Sequence, residues 1–181
     1  RGEGDKSYAS LFEGKPSVTQ PQHTIEVDIP AQTLTLKDVQ GKLLMRTRIS
    51  TARNGAGEKD GSEKTPRGAH YIRAKIGAGL PKSAVLVSRR PTGEIYSPAL
   101  RAAFPNRDWI LTRILWLCGL EPGKNRLGNV DTMRRYIYIH GCPDEDSMGV
   151  PGSRGCVKMR NSELIELFDR VAAGTRVIIK G

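Results

Sequence analysis

The sequence has few cysteines and few aromatic residues, and it contains no long apolar run. Three cysteines in 181 residues cannot form a disulfide scaffold, and the odd number leaves at least one thiol free. The longest apolar candidate, residues 109–120, is interrupted by Arg113 and falls short of the roughly 20 residues of a membrane helix. We therefore expect neither a disulfide-rich domain nor a transmembrane segment.

Nucleic-acid binding is also disfavoured, although the net charge is +10. No block of five basic residues occurs, and three Phe and five Tyr offer little surface for base stacking. We expect no nucleic-acid partner. The positive charge instead suits an anionic cell envelope or a carboxylate-rich substrate.

The composition is that of a turn-rich domain with a sizeable core. Hydrophobic residues make up 38% of the chain, which is enough for one domain that buries about two-thirds of its unfolded surface. Twenty Gly and eleven Pro favour many turns and hence many strands. We interpret residues 1–22, which are polar and lack periodicity, as a tail or linker, and residues 23–181 as the folded domain.

Hydropathy periodicity predicts a mostly β fold with one or two packed helices, arranged as a mixed sheet or sandwich. One helix is predicted to begin near Asn106 and to continue through the apolar residues 110–117. A second is predicted to be capped by Asn161 and to stop at Gly174. The predicted strands are 25–29, 34–36, 43–50, 70–76, 84–88, 136–139, 156–159 and 177–179.

A glycine-rich segment, residues 51–67, is predicted to form a mobile loop or lid near the active site. It lacks the Gly-x-x-x-x-Gly-Lys-Ser/Thr pattern of a phosphate-binding loop, so a nucleotide cofactor is not indicated.

The segment that carries chemistry contains His140-Gly141-Cys142, thirteen further residues, and then Cys156. Three interpretations are open. The histidine and both cysteines are ligands of a tetrahedral zinc, although no Cys-x-x-Cys or His-x-x-x-His pair accompanies them. Alternatively, they are a core histidine and two buried, inert thiols. In the third interpretation, Cys156 is a nucleophile and His140 is its base.

The residues before Cys156 favour the third interpretation. In Ser153-Arg154-Gly155-Cys156 a cation lies close to the thiol, which favours the thiolate that attacks carbonyl carbons. The glycine lets backbone N–H groups approach a substrate oxygen closely. Acidic residues follow Cys142 and disfavour a thiolate there, so Cys156 is the thiol that we expect to react.

The sequence resembles the YkuD-type L,D-transpeptidases of bacterial cell-wall synthesis over about residues 25–179. The family signature is a His-Gly pair, a loop of modest length, and Ser-His-Gly-Cys with a short apolar and basic continuation. The matching segments are Ile139-His140-Gly141 and Ser153-Arg154-Gly155-Cys156-Val157-Lys158-Met159, together with Val27-Asp28-Ile29, Gln32, Leu34, Ser50-Thr51 and Thr65-Pro66-Arg67-Gly68.

The chain departs from the family pattern at two positions. Arg154 stands where a second histidine is more usual, which leaves His140 as the only histidine of the motif. Cys142 stands where Thr or another small residue is usual, and a disulfide between Cys142 and Cys156 would silence the nucleophile.

The resemblance implies a cysteine-dependent enzyme that needs no cofactor and no metal. Cys156 attacks the carbonyl of the third residue of a peptidoglycan tetrapeptide stem, and D-alanine leaves with a proton from His140. The side-chain amine of another stem then attacks the thioester, which gives a 3→3 cross-link. The implied partners are therefore a donor tetrapeptide stem and an acceptor amine.

The other motif residues receive supporting roles by the same resemblance. Ser153 and Gly141 support the motif, and the backbone N–H groups of Arg154, Gly155 and Cys156 are the expected oxyanion donors. The side chains of Arg154 and Lys158 are candidates for substrate binding.

Two alternative functions remain open, and a cellular location is also expected. An L,D-carboxypeptidase, in which water replaces the acceptor amine, would use the same residues. A non-catalytic module that binds cell wall or polyanions is a further alternative. The expected location is the periplasm or cell envelope, for which the chain, beginning at Arg1, carries no visible signal. The sequence does not predict an oligomeric state.

Overall fold

A computed structural model describes residues 23–181, which form ten β-strands and two α-helices. The predicted tail, residues 1–22, lies outside the described residues. No helix in the described part of the chain is long and apolar enough to span a membrane. The strands are β1 Thr24–Asp28, β2 Thr33–Lys37, β3 Leu43–Ser50, β4 Gly68–Ile76, β5 Ala84–Val87, β6 Arg90–Ile95, β7 Ile110–Gly119, β8 Tyr138–Gly141, β9 Val157–Met159 and β10 Arg176–Lys180, and the helices are α1 Pro98–Ala103 and α2 Asn161–Arg170.

All ten strands belong to one sheet, and eight of them form a closed ring. The order of hydrogen-bonded neighbours is β4-β10-β1-β2-β3-β9-β8-β7, and β4 pairs with β7 to close the ring. Strands β5 and β6 form a hairpin that extends from β7. The pairs β1–β10 and β8–β9 are parallel, and the remaining neighbours are antiparallel. The predicted mostly β fold is therefore confirmed.

The core consists of strand residues that alternate with polar ones, together with one face of α2. On β1 and β2, Ile25, Val27, Leu34 and Leu36 are fully buried, as their period of two predicts. Helix α2 adds buried apolar side chains to the same cluster; these are Leu164, Leu167 and Phe168.

The helix predicted from Asn106 through residue 117 is wrong, since residues 110–119 form strand β7. This strand is covered on both faces, so its apolar residues run almost without interruption and do not alternate. A register shift between Leu111 and Ile114 adds a bulge, which moves the apolar residues further from strict alternation. The resulting pattern mimics the spacing of an amphipathic helix.

The helices begin differently from the prediction. Helix α1 was not predicted, although Ser97 accepts a hydrogen bond from the Leu100 N–H and Pro98 occupies the first turn, both of which are common at helix starts. Helix α2 is where it was predicted, but Arg160 occupies its N-cap position. The Asn161 side chain forms tertiary contacts instead of capping the helix.

Candidate active site

The parallel pair β8–β9 brings the two principal motif residues to one face of the sheet. His140 pairs with Lys158, and Cys156 lies two residues before Lys158. Paired residues in parallel strands share a face, and so do residues two apart. His140, Cys156, Lys158 and Tyr138 therefore lie on the same side, and all four line one cavity.

This cavity has a volume of about 540 Å³ and is strongly cationic. It is lined by two carboxylates, Asp108 and Asp146. Its seven cationic side chains are Arg53, Arg89, Arg101, Arg107, Arg135, Arg154 and Lys158. The excess of positive charge favours a substrate with several carboxylates.

His140 is buried and held in a defined tautomer. Its Nδ1 lies 2.7 Å from the Gly141 carbonyl oxygen, which can only accept a hydrogen bond. Nδ1 therefore carries the proton, and Nε2 of the neutral ring retains a lone pair. Burial lowers the pKa of His140 below its ordinary value, while Asp108 and the Gly141 carbonyl oppose this shift. The resting imidazole is neutral near pH 7 and can accept a proton.

The Cys156 sulfur lies between two backbone groups of the segment that leads into β8. The Tyr138 N–H donates to Sγ at 3.3 Å, and the thiol donates to the Tyr136 carbonyl at 3.4 Å. Burial raises the pKa of Cys156 to about 12, against the opposing effects of the Tyr138 N–H, Arg135 and Lys158. The resting sulfur is therefore a thiol, which needs a base to become a nucleophile.

This arrangement corrects the expectation that Arg154 generates a thiolate at Cys156. Arg154 is exposed, and it is not among the main charges that shift the pKa of this thiol. Burial outweighs the effect of the nearby cations on the pKa of Cys156, and the largest cationic effects come from Arg135 and Lys158. Arg154 lies two positions from Cys156 in the sequence and lines the same cavity, but its charge has less effect on this thiol than burial has.

The turn before Cys156 is organised by the Ser153 hydroxyl. It donates to the Cys156 carbonyl at 2.6 Å and accepts from the Gly155 N–H at 3.2 Å. Gly155 has a φ of +129°, and a Cβ there would lie 3.2 Å from Ile137 Cδ1. Only glycine fits this position without strain. Because its N–H already donates to Ser153, Gly155 is removed from the expected set of oxyanion donors.

Both ends of the glycine-rich loop, residues 51–67, are fastened to this turn. The Arg53 N–H donates to the Ser153 carbonyl at 2.9 Å, and the Ser153 N–H donates to the Thr51 carbonyl at 2.9 Å. The Thr65 hydroxyl donates to the Gly155 carbonyl at 2.9 Å and accepts from the Ala52 N–H at 2.9 Å. The loop lies beside the site, as predicted. Its mobility stays a prediction, now restricted to the exposed tip at residues 59–64.

Arg135 is a site residue that the sequence analysis missed. Its guanidinium donates to the carbonyls of Glu58 and Lys64 at 3.2 and 2.7 Å, and it lines the cavity beside Cys156. It therefore fixes the loop and supplies positive charge near the sulfur. Its position just before the strand that delivers His140 was the only sequence clue to this role.

A buried polar network supports the His-Gly pair from behind. Asn161 donates to the Cys142 carbonyl at 2.9 Å and accepts from the Thr112 hydroxyl at 2.7 Å. A Cβ on Gly141 would overlap Asn161 Oδ1 and lie 2.6 Å from the Leu111 carbonyl oxygen. Thr112, in the bulge of β7, has a φ of +75°, which is strained for a β-branched residue. Gly141 is thus required by close packing at the end of β8.

Lys158 and Cys142 have environments that limit what they can do. Lys158 Nζ lies 2.7 Å from Asp146, so its charge is already paired, although it still lines the cavity. Cys142 is fully buried and its thiol donates to the Met159 carbonyl at 3.3 Å. Cys142 and Cys156 are both free thiols, and no disulfide joins them. Among residues 23–181, no group of three or more His, Cys, Asp or Glu side chains is placed to hold a metal ion.

Comparison with known proteins agrees with this geometry. The YkuD L,D-transpeptidase catalytic domain matches residues 22–179. The chain belongs to this family.

Curated relatives of this L,D-transpeptidase domain match over a shorter stretch. The putative L,D-transpeptidase YqjB of Bacillus subtilis (strain 168) is 46% identical over 45 residues, which are 25% of this chain and 26% of that protein. The putative L,D-transpeptidase YkuD of Bacillus licheniformis is 41% identical over 46 residues, 25% of this chain and 28% of that protein. The matched stretch thus spans about a quarter of these relatives.

Solved L,D-transpeptidase structures share the fold at low identity. L,D-transpeptidase 3 from Mycobacterium tuberculosis, in complex with a faropenem-derived adduct, superposes with a TM-score of 0.55 at 15% identity, covering 89% of this chain and 61% of that one. An L,D-transpeptidase from Mycobacterium smegmatis gives a TM-score of 0.52 at 18% identity, covering 89% and 59%.

Within this L,D-transpeptidase domain, the residues chosen from sequence fall into two groups. His140, Ser153, Arg154, Cys156 and Lys158 line the cavity. The glycines, Gly141 and Gly155, lie behind it and allow the backbone to pack closely. No hydrogen bond joins His140 to Cys156 within the described part of the chain; catalytic hydrogen bonds often form only once substrate is bound.

Proposed function

We propose that this L,D-transpeptidase domain forms 3→3 cross-links between peptidoglycan stem peptides through a thioester on Cys156. The observation that carries the proposal is the placement of the Cys156 thiol and the His140 imidazole on one face of β8–β9, inside a cationic cavity. A protonated thiol and a neutral imidazole are the resting forms that general-base activation requires.

The acylation step follows from these protonation states. His140 Nε2 takes the thiol proton while the sulfur attacks the carbonyl carbon of the third stem residue. The tetrahedral oxyanion is stabilised by backbone N–H groups at the Ser153–Cys156 turn, with those of Arg154 and Cys156 as donors once Gly155 is excluded. The C–N bond then breaks, and His140 returns its proton to the departing D-alanine nitrogen.

Deacylation reverses the same proton path. An amine of the acceptor stem attacks the thioester carbonyl, His140 accepts a proton from the attacking nitrogen, and the C–S bond breaks. The proton then returns to the Cys156 sulfur. D-alanine leaves as a cation at its amino group and the acceptor enters as one, so the complete transfer neither consumes nor releases protons.

The charge of the cavity supports a stem peptide as the donor. Stem peptides carry several free carboxylates, and Arg53, Arg89 and Arg154 are cavity-lining cations with no carboxylate within ion-pair distance in the described residues. Lys158 and Arg101 are held by Asp146 and contribute less free charge. Arg154 and Lys158 retain the substrate-binding roles that we expected, Arg154 as the freer of the two.

One wall of the cavity is fixed by the contacts of Arg89. Arg89, at the tip of the β5–β6 hairpin, lies 5.0 Å from the Trp116 ring and 4.8 Å from the Tyr136 ring. It also donates to the Tyr138 hydroxyl at 3.0 Å. These contacts fix the hairpin tip beside the segment that holds the Cys156 sulfur.

The proposal is tested with sacculi or soluble muropeptides that carry tetrapeptide stems. The protein should release D-alanine and yield dimers joined through two diamino acids, as measured by mass analysis of the products. Tripeptides without dimers would identify an L,D-carboxypeptidase. If neither product forms and binding to sacculi survives Cys156→Ala, the chain is a non-catalytic wall-binding module.

A β-lactam supplies an independent probe of the acyl-enzyme. A faropenem-derived adduct is present in the Mycobacterium tuberculosis structure that shares this fold. We propose that a penem or carbapenem acylates Cys156, and peptide mass spectrometry should place the adduct there. We also propose that the domain works in the periplasm or cell envelope, where its substrate is found; cell fractionation tests this location.

A further inference from the structure

Asp108 is a carboxylate in the active-site cavity to which the chemistry above gives no role. It lies two residues before β7 and is exposed, and it lines the same cavity as His140 and Cys156. Strand β7 pairs with β8, with Leu111 opposite Gly141. This pairing places Asp108 near the end of the strand that carries His140.

The other carboxylate of the cavity is already neutralised. Asp146 lies 2.7 Å from Lys158 Nζ and 2.9 Å from Arg101 Nη1. Arg107, the chain neighbour of Asp108, is bound by Glu94 at 2.9 Å. Within residues 23–181, no Lys, Arg or His nitrogen lies within 4.0 Å of the Asp108 carboxylate. Asp108 is thus the lining carboxylate whose charge is left for a ligand.

The proposed reaction needs an unpaired negative charge in the cavity at one stage only, when the acceptor stem enters. The donor stem brings carboxylates, which the lining cations that have no carboxylate partner attract. The acceptor stem must bring an ammonium group to the same thioester, and those cations repel it. Water, the competing acceptor, is neutral and meets no such barrier.

We propose that Asp108 binds the ammonium group of the acceptor stem and directs the acyl-enzyme toward cross-linking rather than hydrolysis. This assignment rests on the proposed function, because it concerns the second substrate of that same site. Asp108 also lies close enough to influence both reacting groups: it opposes the lowering of the His140 pKa and contributes to raising the pKa of Cys156.

The step balances without any further reactant. The bound ammonium loses one proton to solvent, and the resulting amine attacks the thioester carbonyl. The C–N bond forms, the C–S bond breaks, and the second nitrogen proton passes through His140 to the Cys156 sulfur. Asp108 takes no part in these proton transfers and contributes binding and orientation.

The test compares Asp108→Asn with the parent enzyme on a tetrapeptide donor and an amine-bearing acceptor stem. The ratio of cross-linked dimer to tripeptide should fall about two- to fivefold, the size expected for an exposed ion pair, and the KM for the acceptor should rise. Asp108→Glu should restore part of the ratio. Asp144→Asn, which removes an exposed carboxylate outside the cavity, should leave it at the parental value.

Hydroxylamine separates charge recognition from chemistry, because it is largely uncharged at neutral pH and intercepts thioesters as hydroxamates. Asp108→Asn should form hydroxamate at the parental rate or faster. An equal loss with hydroxylamine and with the acceptor stem would overturn the proposal, and so would an unchanged dimer-to-tripeptide ratio.

Release of D-alanine by the parent reports on the proposed function separately. If the parent releases no D-alanine, that function fails. If the parent releases D-alanine but yields tripeptide alone, the acyl-enzyme chemistry stands and the role of Asp108 is overturned.

Discussion

Cys142 and Cys156 lie at opposite ends of the same parallel strand pair, and their surroundings differ in access rather than in charge. Cys142 follows β8, is fully buried, and donates to the Met159 carbonyl. Cys156 precedes β9, is partly exposed, and faces the cavity that contains His140. Burial raises the pKa of both thiols, to about 11 for Cys142 and about 12 for Cys156.

The comparison teaches that the proposed nucleophile, Cys156, is not selected by a low thiol pKa, because burial raises the pKa of both thiols. What distinguishes Cys156 is a route for substrate, a histidine on the same face, and backbone N–H groups around the sulfur. In the proposed mechanism, reactivity is created at the moment of attack, when His140 accepts the proton.

The largest expected effect tests the comparison of Cys142 and Cys156 directly. Cys156→Ala should lower D-alanine release by at least about 10³-fold, because the thioester cannot form. Cys142→Ala should remain close to the parent, since Cys142 is not among the residues that line the cavity. Under reducing conditions a carbapenem should add once, and peptide mass spectrometry should map it to Cys156. Labelling of Cys142 with Cys156 unmodified would reverse the assignment.

The next largest effect concerns the proton acceptor. His140→Ala should lower acylation by roughly 10²–10⁴-fold, the usual contribution of a general base. In the parent, the acylation rate should be lost as the pH falls through the lowered pKa of His140, which lies below the ordinary 6.5. This loss is measured by following the rate of β-lactam acylation as a function of pH. A midpoint above 6.5 would contradict it.

His70 provides the matched control for His140, because it is also buried but has no part in the proposed chemistry. Its Nε2 lies 2.9 Å from the Thr132 hydroxyl and its Nδ1 lies 3.0 Å from the Gly68 carbonyl. Burial lowers the pKa of His70 from 6.5 to about 4. The unfolded chain therefore binds more protons between these values, and stability falls as the pH drops from 6.5 toward 4. His70→Gln should flatten that slope by up to about 1.4 kcal/mol per pH unit without removing the acylation chemistry.

Thr65 tests whether the glycine-rich loop, residues 51–67, and the Ser153–Cys156 turn form one structural unit. Thr65→Ala removes a hydroxyl that serves both the Ala52 N–H and the Gly155 carbonyl. Two buried polar groups lose their partner, so the free energy of unfolding should fall by about 2 kcal/mol, as measured by denaturant titration. Thr65→Ser keeps the hydroxyl and should lose much less. Equal stability of the two variants would show that the contact is not needed.

The sequence was sufficient to predict that the two motif segments lie together, because both segments are short and local. His140-Gly141 ends one strand and Ser153–Cys156 begins the next, so neighbouring strands suffice to join them. The contacts that complete the site were beyond sequence reasoning. Thr65 belongs to a segment that matches the family, but its bond to Gly155 spans 90 residues. Arg135 lies 77 and 71 residues from Glu58 and Lys64, whose carbonyls it binds, and nothing in its local pattern distinguishes it from a surface residue.

Strand β7 shows the physical limit of the periodicity argument. Its apolar residues are buried on both faces, and its bulge contains the strained Thr112, so neither simple period applies. The weak effect of Arg154 on Cys156 was equally inaccessible, because closeness in sequence does not tell how strongly burial opposes a nearby charge. Both errors arise from tertiary packing that overrides a local pattern.

The smallest expected effect decides which cation assists Cys156. Arg135 is half-buried and opposes the raised pKa of this thiol, whereas Arg154 is exposed and is not among its main influences. Iodoacetamide is neutral, so its reaction with Cys156 reports the thiolate population without any recognition of substrate charge. Arg135→Gln should slow alkylation about five- to tenfold, a change of roughly one pKa unit, and Arg154→Gln should change it less than about twofold.

Arg135→Lys keeps the charge but cannot bind both the Glu58 and Lys64 carbonyls in the same fork. It should therefore recover most of the alkylation rate while the loop tip at 59–64 gains hydrogen exchange. If Arg154→Gln proves the slower variant, the exposed cation adjacent in sequence governs the thiol after all.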